Sequence, residues 1–409
     1  MNLAIVGAGP AGLRAAEIAT QFGAQVILFE GKPSAGRKFL VAGHGGLNLT
    51  HSEDLEPFAK RYSGGGSEVF WTSLLREFGN QELKSWAEGL GIDTFIGTSG
   101  RVFPKEFKAA PLLRRWIERL KRQGVIFKTR HYLKDITPTD GRFLLSFHHQ
   151  NDHFEDSFDH IILALGGASW PDTGSDAQWI PILERLGVKV TPFRPANCGW
   201  EVNWNADILS FIEGHPLKNI EVTAGNKTIA GELLITRYGL EGGAIYQLGS
   251  TLREMECPVL KLDLKPSFSA QELAEKIQQD NVKDKGDFFL RAIKAWRLSK
   301  ATGVILGALA TPFARNTPLA LAEFAKSIAI PLTGPRPIVE AISSAGGVCF
   351  SELNEDLMVK RLPGLYVAGE MIDWEAPTGG YLLQGAFSTG TRAARGVLKN
   401  LDLPGQPIL

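Results

Sequence analysis

The strongest constraint on the fold lies in the first 30 residues, where a glycine-rich turn joins an apolar strand to a helix. Residues 3–6 are apolar enough to form a buried strand, and they lead directly into the turn Gly7-Ala8-Gly9-Pro10-Ala11-Gly12. A helix of small residues at 13–22 follows, and then a second apolar strand at 26–29, which ends at Glu30. This order of elements is typical of a dinucleotide-binding α/β fold.

Each glycine of the turn has its own steric task. Gly7 permits the tight turn, Gly9 leaves room for a pyrophosphate beside the backbone, and Gly12 allows the helix to lie close to the strand. The free N–H groups and the positive end of the helix then face the phosphates. Glu30 lies 23 residues after Gly7, where a carboxylate can accept hydrogen bonds from ribose hydroxyls and disfavours the 2′-phosphate of NADP.

Cations and a second glycine-rich loop follow Glu30 directly. Lys32, Arg37 and Lys38 can reach phosphate oxygens. The loop at residues 42–50 is rich in glycine, and its backbone can therefore lie against a flat ring. Both features suit a dinucleotide that carries a large ring.

The far end of the chain supplies a second clamp. An apolar strand at residues 365–368 ends in Gly369-Glu370, which places a carboxylate where it can hold ribitol hydroxyls. Residues 377–381 open a helix, whose N-terminus can stabilise negative charge on a reduced flavin. NAD needs no such remote clamp, so these segments favour FAD.

The order of these motifs resembles that of a widespread bacterial flavoprotein family, which includes aminoacetone-oxidase-type and bile-acid-enone-reductase-type enzymes. The resemblance covers nearly the whole chain. Its motifs are Gly36-Arg37-Lys38, the loop that ends at Asn48, Gly100-Arg101-Val102-Phe103-Pro104, residues 162–167, Ala345-Gly346-Gly347-Val348, Gly369-Glu370 and Thr378-Gly379-Gly380-Tyr381. The resemblance implies a glutathione-reductase-like FAD domain, with FAD as the cofactor.

The motifs and the resemblance together give one set of expected FAD contacts. Residues 161–166 resemble the strand that returns the chain to the FAD domain, which adds Ala164 and Gly166. The expected contacts are Gly7, Gly9, Pro10, Ala11, Gly12, Glu30, Gly31, Lys32, Arg37, Lys38, Gly45, Asn48, Ala164, Gly166, Gly369, Glu370, Gly379, Gly380, Tyr381 and Leu382. No metal is expected, because the sequence has neither an HExxH motif nor a Cys/His cluster.

In three places the sequence departs from the family pattern. Gly46 and Leu47 stand where the family loop carries Arg and Cys, which excludes a thiol role there. Arg237 replaces a His, and Glu241-Gly242-Gly243-Ala244 replaces Ser-Gly-Pro-Ala. Leu382 stands where many relatives carry Asn. These changes leave the expected FAD site intact, but they place the chain on a distinct branch whose substrate does not follow from its relatives.

Charge and composition exclude several classes of protein. Lys+Arg and Asp+Glu both number 44, so no overall field favours nucleic acid or an anionic membrane. A basic helix expected at residues 108–122 is either a core-packed helix with a solvated face or a docking site for an anionic partner. Three scattered cysteines, no signal-peptide pattern and no apolar run of transmembrane length predict a cytoplasmic protein. The oligomeric state stays open.

The FAD domain is expected to be discontinuous, because its motifs lie at both ends of the chain. Residues 1–188 and 345–409 are assigned to a Rossmann-like α/β FAD-binding domain. Short apolar runs with turn signals predict a β-rich, antiparallel and barrel-like substrate domain at 189–265 and 330–344. Residues 266–329 form a helical subdomain, and residues 337–341 within the β-rich part are expected to be strand-like.

Few side chains need to be catalytic, because flavin N5 carries the hydride chemistry. The candidates are Arg237, Tyr381 and His44. Arg237 either binds an acidic or carbonyl group of the substrate or forms a surface ion pair, and Tyr381 either donates a proton or only packs. His44 is a loop histidine that is able to act as an acid or a base. Arg237, Tyr238 and Trp374 are the candidate substrate contacts.

These features predict an FAD-dependent oxidoreductase that transfers a hydride between flavin N5 and a small organic substrate, either an amine or an enone. No second GxGxxG follows a strand, so NADH or NADPH would have to visit the substrate cleft transiently as the electron donor. Two alternatives stay open: a non-catalytic flavin-binding redox sensor, and flavin-dependent RNA modification, which only the basic helix motivates.

Overall fold

The computed structural model describes residues 2–43, 45–149, 152–279 and 288–399. It divides into two compact units, of which one comprises Met1–Arg194 and Ile342–Leu409 and the other Pro195–Ala341. The first unit is therefore assembled from both ends of the chain. The predicted α/β class, with a discontinuous Rossmann-like unit and an inserted antiparallel part, is confirmed. The separation of a β-rich domain from a helical subdomain stays a prediction.

Five parallel strands form the centre of the first unit. In spatial order they are Leu365–Val367, His160–Leu163, Asn2–Val6, Gln25–Glu30 and Ile126–Thr129. Ile5 lies between Leu28 and Ile162 on the neighbouring strands, and all three side chains are fully buried. Parallel strands covered on both faces need continuous apolar runs, which is the pattern the sequence shows at residues 3–6 and 26–29.

Two helices bring the ends of the chain together against this sheet. The helix Pro10–Gln21 contacts the long C-terminal helix Tyr381–Lys399. A Cβ on Gly390 would lie 2.3 Å from Ala11 O, so the two backbones touch at a point where only glycine fits. This contact places the C-terminal segment beside the N-terminal turn.

The remaining elements of the first unit surround the parallel sheet. Its other helices are Arg37–Ala42, Leu55–Ala59, Glu68–Glu77, Asn80–Gly89, Ala109–Arg122 and Ile180–Arg185, with 3₁₀ turns at Pro171–Thr173, Phe350–Glu352 and Gly369–Met371. Its other strands are Thr50–His51, Ser63–Gly64, Thr94–Ile96, Arg101–Pro104, His131–Thr139, Arg142–His149, Asp152–Phe158, Ser343–Val348 and Trp374–Glu375, and Val190–Ala196 leads out of the unit.

The second unit is built on a seven-stranded sheet in which every neighbouring pair is antiparallel. In spatial order the strands are Ile328–Pro331, Val259–Asp263, Pro216–Ala224, Lys227–Ile235, Gly239–Glu241, Trp200–Glu201 and Gly334–Pro335. Its helices are Ala206–Ile212, Gly243–Arg253, Ala270–Gln279, Phe288–Ala295, Lys300–Leu309 and Pro318–Ala325. The unit has a separate core, to which Leu233, Ile245 and Trp296 belong.

The strand expected at residues 337–341 is wrong, because Ile338–Glu340 forms a 3₁₀ turn. The Glu340 N–H donates to Pro337 O at 2.9 Å, and Arg336 pairs with the Glu340 carboxylate at 2.7 Å. Pro337 has no N–H to give to a sheet, and the i,i+4 ion pair favours a compact turn. These local effects outweigh the strand preference of the β-branched Ile338 and Val339.

Within the described part of the chain, no helix combines the length and the apolarity that a membrane crossing would need.

Candidate functional site

A cavity of about 490 Å³ lies at the carboxyl ends of the parallel strands in the first unit. Val6, Glu30, Ala164 and Ala368, which each end or follow one of these strands, all line it. Open α/β sheets bind their ligands at this edge. All the predicted FAD contacts line the cavity except Gly12, Gly45 and Tyr381.

We call Gly7, Gly9, Pro10, Ala11 and Glu30 the N-terminal wall of this cavity. Gly7 has φ +105°, and a Cβ there would lie 2.2 Å from Ala164 O, so a tight turn demands glycine. A Cβ on Gly9 would have no atom within 4 Å, which leaves open space beside the backbone. Because the first-turn N–H groups of a helix lack intrahelical partners, this wall suits an anion such as a pyrophosphate.

Gly12 lies behind that wall, not on the cavity surface. A Cβ on Gly12 would lie 1.9 Å from Gly7 O, so its absence lets the helix Pro10–Gln21 approach the first strand. Gly45 has φ +88° and also does not line the cavity. The preceding His44 lies outside the described residues, so its predicted acid–base role stays a prediction.

The Glu30 carboxylate is fixed at the end of its strand by two backbone donors. The Ala8 N–H donates to Oε2 at 2.9 Å, and the Lys32 N–H donates to Oε1 at 2.8 Å. Burial raises the pKa of Glu30 above its ordinary value, although both hydrogen bonds act in the opposite direction. Each oxygen keeps a lone pair for a further donor such as a ribose hydroxyl.

One side of the cavity is built from residues that the sequence analysis missed. The Tyr132 hydroxyl donates to Asp176 at 2.8 Å, and both residues line the cavity together with Trp170 and Trp179. A Cβ on Gly31 would lie 2.9 Å from the Tyr132 ring, so the glycine after Glu30 makes room for it. Gly31 was the one feature of the sequence that could have indicated this side of the cavity. Tyr132, the residue that it makes room for, lies about a hundred residues further along the chain.

We call Gly369, Glu370, Gly379, Gly380 and Leu382 the C-terminal wall. Gly379 and Gly380 have φ of +114° and +104°, which favours glycine at both positions. A Cβ on Gly380 would lie 2.4 Å from the carbonyl carbon of Thr50, so this turn is pressed against the strand Thr50–His51. The wall therefore holds the N-terminus of the C-terminal helix at the cavity.

Lys38 bridges toward this C-terminal wall. Its Nζ lies 2.6 Å from Glu370 Oε2 and donates to Ser169 Oγ at 2.6 Å. The other Glu370 oxygen accepts from the Ser344 N–H at 2.8 Å. Lys38 and Glu370, which were predicted to hold phosphate and ribitol groups separately, are thus an ion pair that lines one cavity.

Asn48 contributes an unsatisfied group to the same cavity. Its Oδ1 is buried and accepts no hydrogen bond from any described residue. A buried acceptor without a donor costs about 1–3 kcal/mol. Its position in the cavity lining therefore fits a ligand that carries an N–H or O–H group.

Tyr381 lies beside the C-terminal wall in a hydrogen-bonded cluster. Its hydroxyl donates to Glu53 Oε2 at 2.8 Å, and Arg61 forms an ion pair with the same carboxylate. The ring stacks on His51, with centroids 5.2 Å apart. Burial, reinforced by Glu53, raises the pKa of the Tyr381 phenol. In this arrangement Tyr381 keeps its proton and anchors the first turn of the C-terminal helix.

Trp374 lines the cavity but is only 2% exposed. Its Nε1–H donates to Gly369 O at 2.8 Å, and its ring contacts those of Tyr62 and Trp71. The indole is thus a rigid part of the lining.

Arg237 and Tyr238, two of the predicted substrate contacts, belong to the second unit and differ in their surroundings. Arg237 is 84% exposed and lies 3.6 Å from Glu213, which is a surface ion pair. The Tyr238 hydroxyl donates to Glu241, as does the Tyr246 hydroxyl, so both phenols share one carboxylate. Burial, with Glu241 adding to it, raises the pKa of both phenols.

The basic helix Ala109–Arg122 uses part of its charge inside the first unit. Arg119 pairs with the fully buried Glu17 at 3.1 Å, and Arg115 donates to Leu90 O at 3.2 Å. Two of its cations are therefore structural, which weakens its interpretation as a docking face for an anionic partner.

The donor set of the cavity fits FAD. A glycine cradle at a helix N-terminus suits the pyrophosphate, a carboxylate suits the ribose, and a buried free acceptor at Asn48 suits a ring N–H. Among the described residues, no three His, Cys, Asp or Glu side chains are grouped as metal ligands would be.

Comparison with known proteins identifies relatives that align with nearly the whole chain. The chain is 26% identical to the 3-dehydro-bile acid delta(4,6)-reductase of Clostridium scindens, over 96% of this chain and 98% of that protein. It is also 26% identical to the ribosomal RNA dihydrouridine synthase of Escherichia coli, over 96% and 97%. The solved 3-ketosteroid-Δ4-(5α)-dehydrogenase of Rhodococcus jostii shares the fold, with a TM-score of 0.53, 14% identity and coverage of 97% and 96%.

The family model described as "HI0933-like protein Rossmann domain" matches residues 1–396. This confirms the resemblance inferred from the motifs and, with the reductase relative and the lining of the cavity, the assignment of FAD as the cofactor. The chain therefore belongs to the HI0933-like Rossmann-domain family of FAD-dependent oxidoreductases.

Proposed function

We propose that this protein is an FAD-dependent reductase, and that its substrate is a small organic molecule with a carbon–carbon double bond conjugated to a carbonyl group. Bound FAD would supply the hydride for this double bond, and a proton would complete the reduction. This choice narrows the sequence prediction, which left both amines and enones open.

The observation that carries the proposal is the common chemistry of the two curated relatives. The name of the bile-acid reductase describes a substrate in which a ketone is conjugated with carbon–carbon double bonds. In the dihydrouridine synthase, the double bond of uridine that becomes saturated is also conjugated to a carbonyl. Each reaction delivers hydride to a carbon that a carbonyl has made electrophilic, and each relative aligns with 96% of this chain.

The cavity supports this role through the groups that would hold the cofactor. We assign the pyrophosphate to the N-terminal wall, the adenosine ribose to Glu30, and the flavin ring to Asn48 and the C-terminal wall. When bound, FAD supplies the hydride chemistry at N5. The protein's own residues orient the ring and stabilise the charge that reduction places on it.

For the substrate side we propose Tyr238 as a stronger candidate than Arg237. The Tyr238 phenol is held by Glu241 and overlaid by the Arg336 guanidinium at 4.3 Å, so its position is well defined. Arg237 is exposed and already paired on the surface. The single phenolic proton is donated to Glu241, so Tyr238 is available to a substrate as a fixed aromatic ring and as a hydrogen-bond acceptor. Replacement of Tyr238 by Phe would then lower turnover without loss of FAD.

The contacts of the basic helix favour a small substrate over RNA, because two of its cations are already engaged within the first unit. Arg115 and Arg119 are committed to internal contacts, which leaves fewer cations for phosphates than the sequence suggested. Binding of nucleic acid depends strongly on such cations. Uridine in RNA is therefore disfavoured as the substrate.

The test is an anaerobic half-reaction experiment with the FAD-loaded protein. NADH or NADPH is mixed with the enzyme, and the flavin absorbance near its visible maximum is followed. We expect one nicotinamide to bleach the flavin and a cyclic enone to restore the colour without oxygen. Primary amines should cause no bleaching.

Two outcomes would contradict the proposal. Bleaching by an amine, with no response to either nicotinamide, would identify an amine oxidase. Reoxidation by unmodified ribosomal RNA but by no enone would identify RNA as the substrate. The Gly9→Val variant serves as the control for changes that do not depend on bound flavin.

A further inference from the structure

No residue of the motif Gly100-Arg101-Val102-Phe103-Pro104 lines the cavity. Arg101 begins the strand Arg101–Pro104, and the neighbouring strand places His51 opposite it. The backbone is fixed on both sides, since Gly97 N donates to Arg101 O at 2.8 Å and Leu49 N donates to Val102 O at 2.9 Å. Val102 is fully buried, so Arg101 projects from the opposite face of the strand.

The Arg101 side chain lies beside Gly379 of the C-terminal wall. A Cβ on Gly379 would lie 3.3 Å from Arg101 Nε and 3.9 Å from its Cγ. Gly379 itself lines the cavity. The Arg101 side chain therefore lies next to a residue that lines the cavity, at a left-handed turn (φ +114°).

The positive charge of Arg101 is not neutralised by its neighbours. Among the described residues, no carboxylate or carbonyl forms an ion pair or hydrogen bond with its side chain. The nearby carboxylate of Glu53 is already engaged by Arg61 and by the Tyr381 hydroxyl. A half-buried guanidinium without a counter-charge is uncommon and points to an anionic partner.

The other titratable groups near Arg101 are His51, Glu53 and Arg61, and they do not neutralise its positive charge. His51 accepts from the Glu53 N–H at Nδ1 (3.1 Å), and its Nε2 lies 2.9 Å from Ser99 O. Because a carbonyl only accepts, these two contacts fit the tautomer with the proton on Nε2. Arg61 and Glu53 cancel each other, so Arg101 is the net positive charge of the cluster.

We propose that Arg101 sets the electron affinity of the bound flavin. Its guanidinium acts with the N-terminus of the helix Tyr381–Lys399 to stabilise the negative charge that the pyrimidine side of the flavin acquires on reduction. The inference rests on the assignment of the flavin ring to the C-terminal wall, but not on the identity of the substrate. Arg101 acts through space, as a residue that tunes the cofactor and not as a catalytic residue.

Sulfite binding measures this effect without any substrate. Sulfite adds reversibly to N5 of an oxidised flavin and leaves negative charge on the pyrimidine side, so its affinity reports a nearby cation. We expect Arg101→Gln to weaken sulfite binding by about tenfold, and Arg101→Lys to retain most of the affinity. The matched control is Lys105→Gln, which removes a cation of the same segment that is 64% exposed and paired with Asp93; its sulfite affinity should equal that of the wild type.

An Arg101→Gln protein that retains FAD and binds sulfite as tightly as the wild type would overturn the proposal. If the Arg101→Gln variant loses FAD, an acid titration of the reduced wild-type protein tests the proposal instead. The reduced protein is titrated with acid, and its absorbance reports whether the flavin is anionic. We expect it to stay anionic to at least about one pH unit below the point at which free reduced FAD becomes neutral. A neutral reduced flavin at the pH found for free FAD would also overturn the proposal. Neither readout depends on turnover, so failure of the enone test alone would leave this inference standing.

Discussion

The N-terminal and C-terminal walls face the same cavity but are specified by the chain in different ways. The N-terminal wall takes its glycines and its carboxylate from 24 consecutive residues, Gly7 to Glu30. The C-terminal wall is shaped by contacts with Thr50 and Arg101, which lie far from it in the sequence. A local motif thus encodes the first wall, whereas only the folded chain assembles the second. Substitutions at these contacts distinguish the two cases.

The largest effect is expected at Gly12, which lies behind the N-terminal wall. A side chain at Gly12 would collide with Gly7 O, whereas one at Gly9 would enter open space. We therefore expect Gly12→Val to lower the free energy of unfolding by about 4 kcal/mol or to prevent folding. Gly9→Val should fold with a melting temperature close to that of the FAD-free wild type, as judged by circular dichroism. Equal stability of the two variants would show that the Gly12 contact does not control the packing of this helix.

The next effect tests the long-range contact of the C-terminal wall. Gly380→Ala would place a Cβ 2.4 Å from the Thr50 backbone at a residue with φ +104°. We expect a loss of about 2–4 kcal/mol in the free energy of unfolding, measured with urea.

The control for that experiment is Gly243→Ala in the second unit, where a Cβ would meet nothing within 4 Å. It should change stability by less than about 1 kcal/mol. A Gly380→Ala protein as stable as this control would mean that the turn is not held against Thr50.

A moderate effect is expected at the ion pair that bridges to the C-terminal wall. Lys38 and Glu370 are 26% and 18% exposed, so solvent screens their attraction only in part. A double-mutant cycle with Lys38→Met and Glu370→Gln should give a coupling energy of about 1–2 kcal/mol. The exposed pair Lys105–Asp93 provides the reference, with an expected coupling below about 0.5 kcal/mol. Equal coupling energies in the two cycles would contradict a partly buried bridge.

The smallest effect is a dependence on pH at Glu53. The hydrogen bond from Arg61 is the main reason that the pKa of Glu53 is lowered from 4.5. A lowered pKa in the folded state stabilises the protein above pH 4.5, and this stabilisation is lost as the pH falls through the folded-state pKa. Because the Arg61 side chain is 42% exposed, we expect Glu53→Gln to cost about 1 kcal/mol or less at pH 7.

Urea unfolding at pH 7 and at pH 3 checks this prediction. The difference between Glu53→Gln and the wild type should shrink at the lower pH. A difference that grows as the pH falls would have the wrong sign for a carboxylate with a lowered pKa.

The contrast between a locally encoded wall and a wall assembled by distant contacts explains which parts of the fold and the site could be predicted from the sequence. The strands, the turn and Glu30 of the N-terminal wall follow from rules that act within a few residues, and the predicted parallel strands were confirmed. The glycines of the C-terminal wall were recognised as a motif, but their reason was not visible. Gly380 needs to be glycine because Thr50 lies against it, a contact that spans 330 positions.

Other parts of the site could not be predicted, because they depend on contacts between residues that are far apart in the sequence. Tyr132 and Asp176 form one side of the cavity only because two distant segments meet there. Arg101 belonged to a recognised motif, yet its place beside Gly379 required the folded chain. The strand expected at residues 337–341 failed for the opposite reason, since a local ion pair outweighed the preference of β-branched residues.

The central claim is that the two walls hold one FAD, and the most direct test is the FAD content of the purified protein. The wild type should contain about one FAD per chain and show a flavin spectrum, whereas Gly9→Val should fold but retain none. Lys105→Gln should match the wild type, because its side chain lies on the surface. A Gly9→Val protein that retains stoichiometric FAD with an unchanged spectrum would contradict the account.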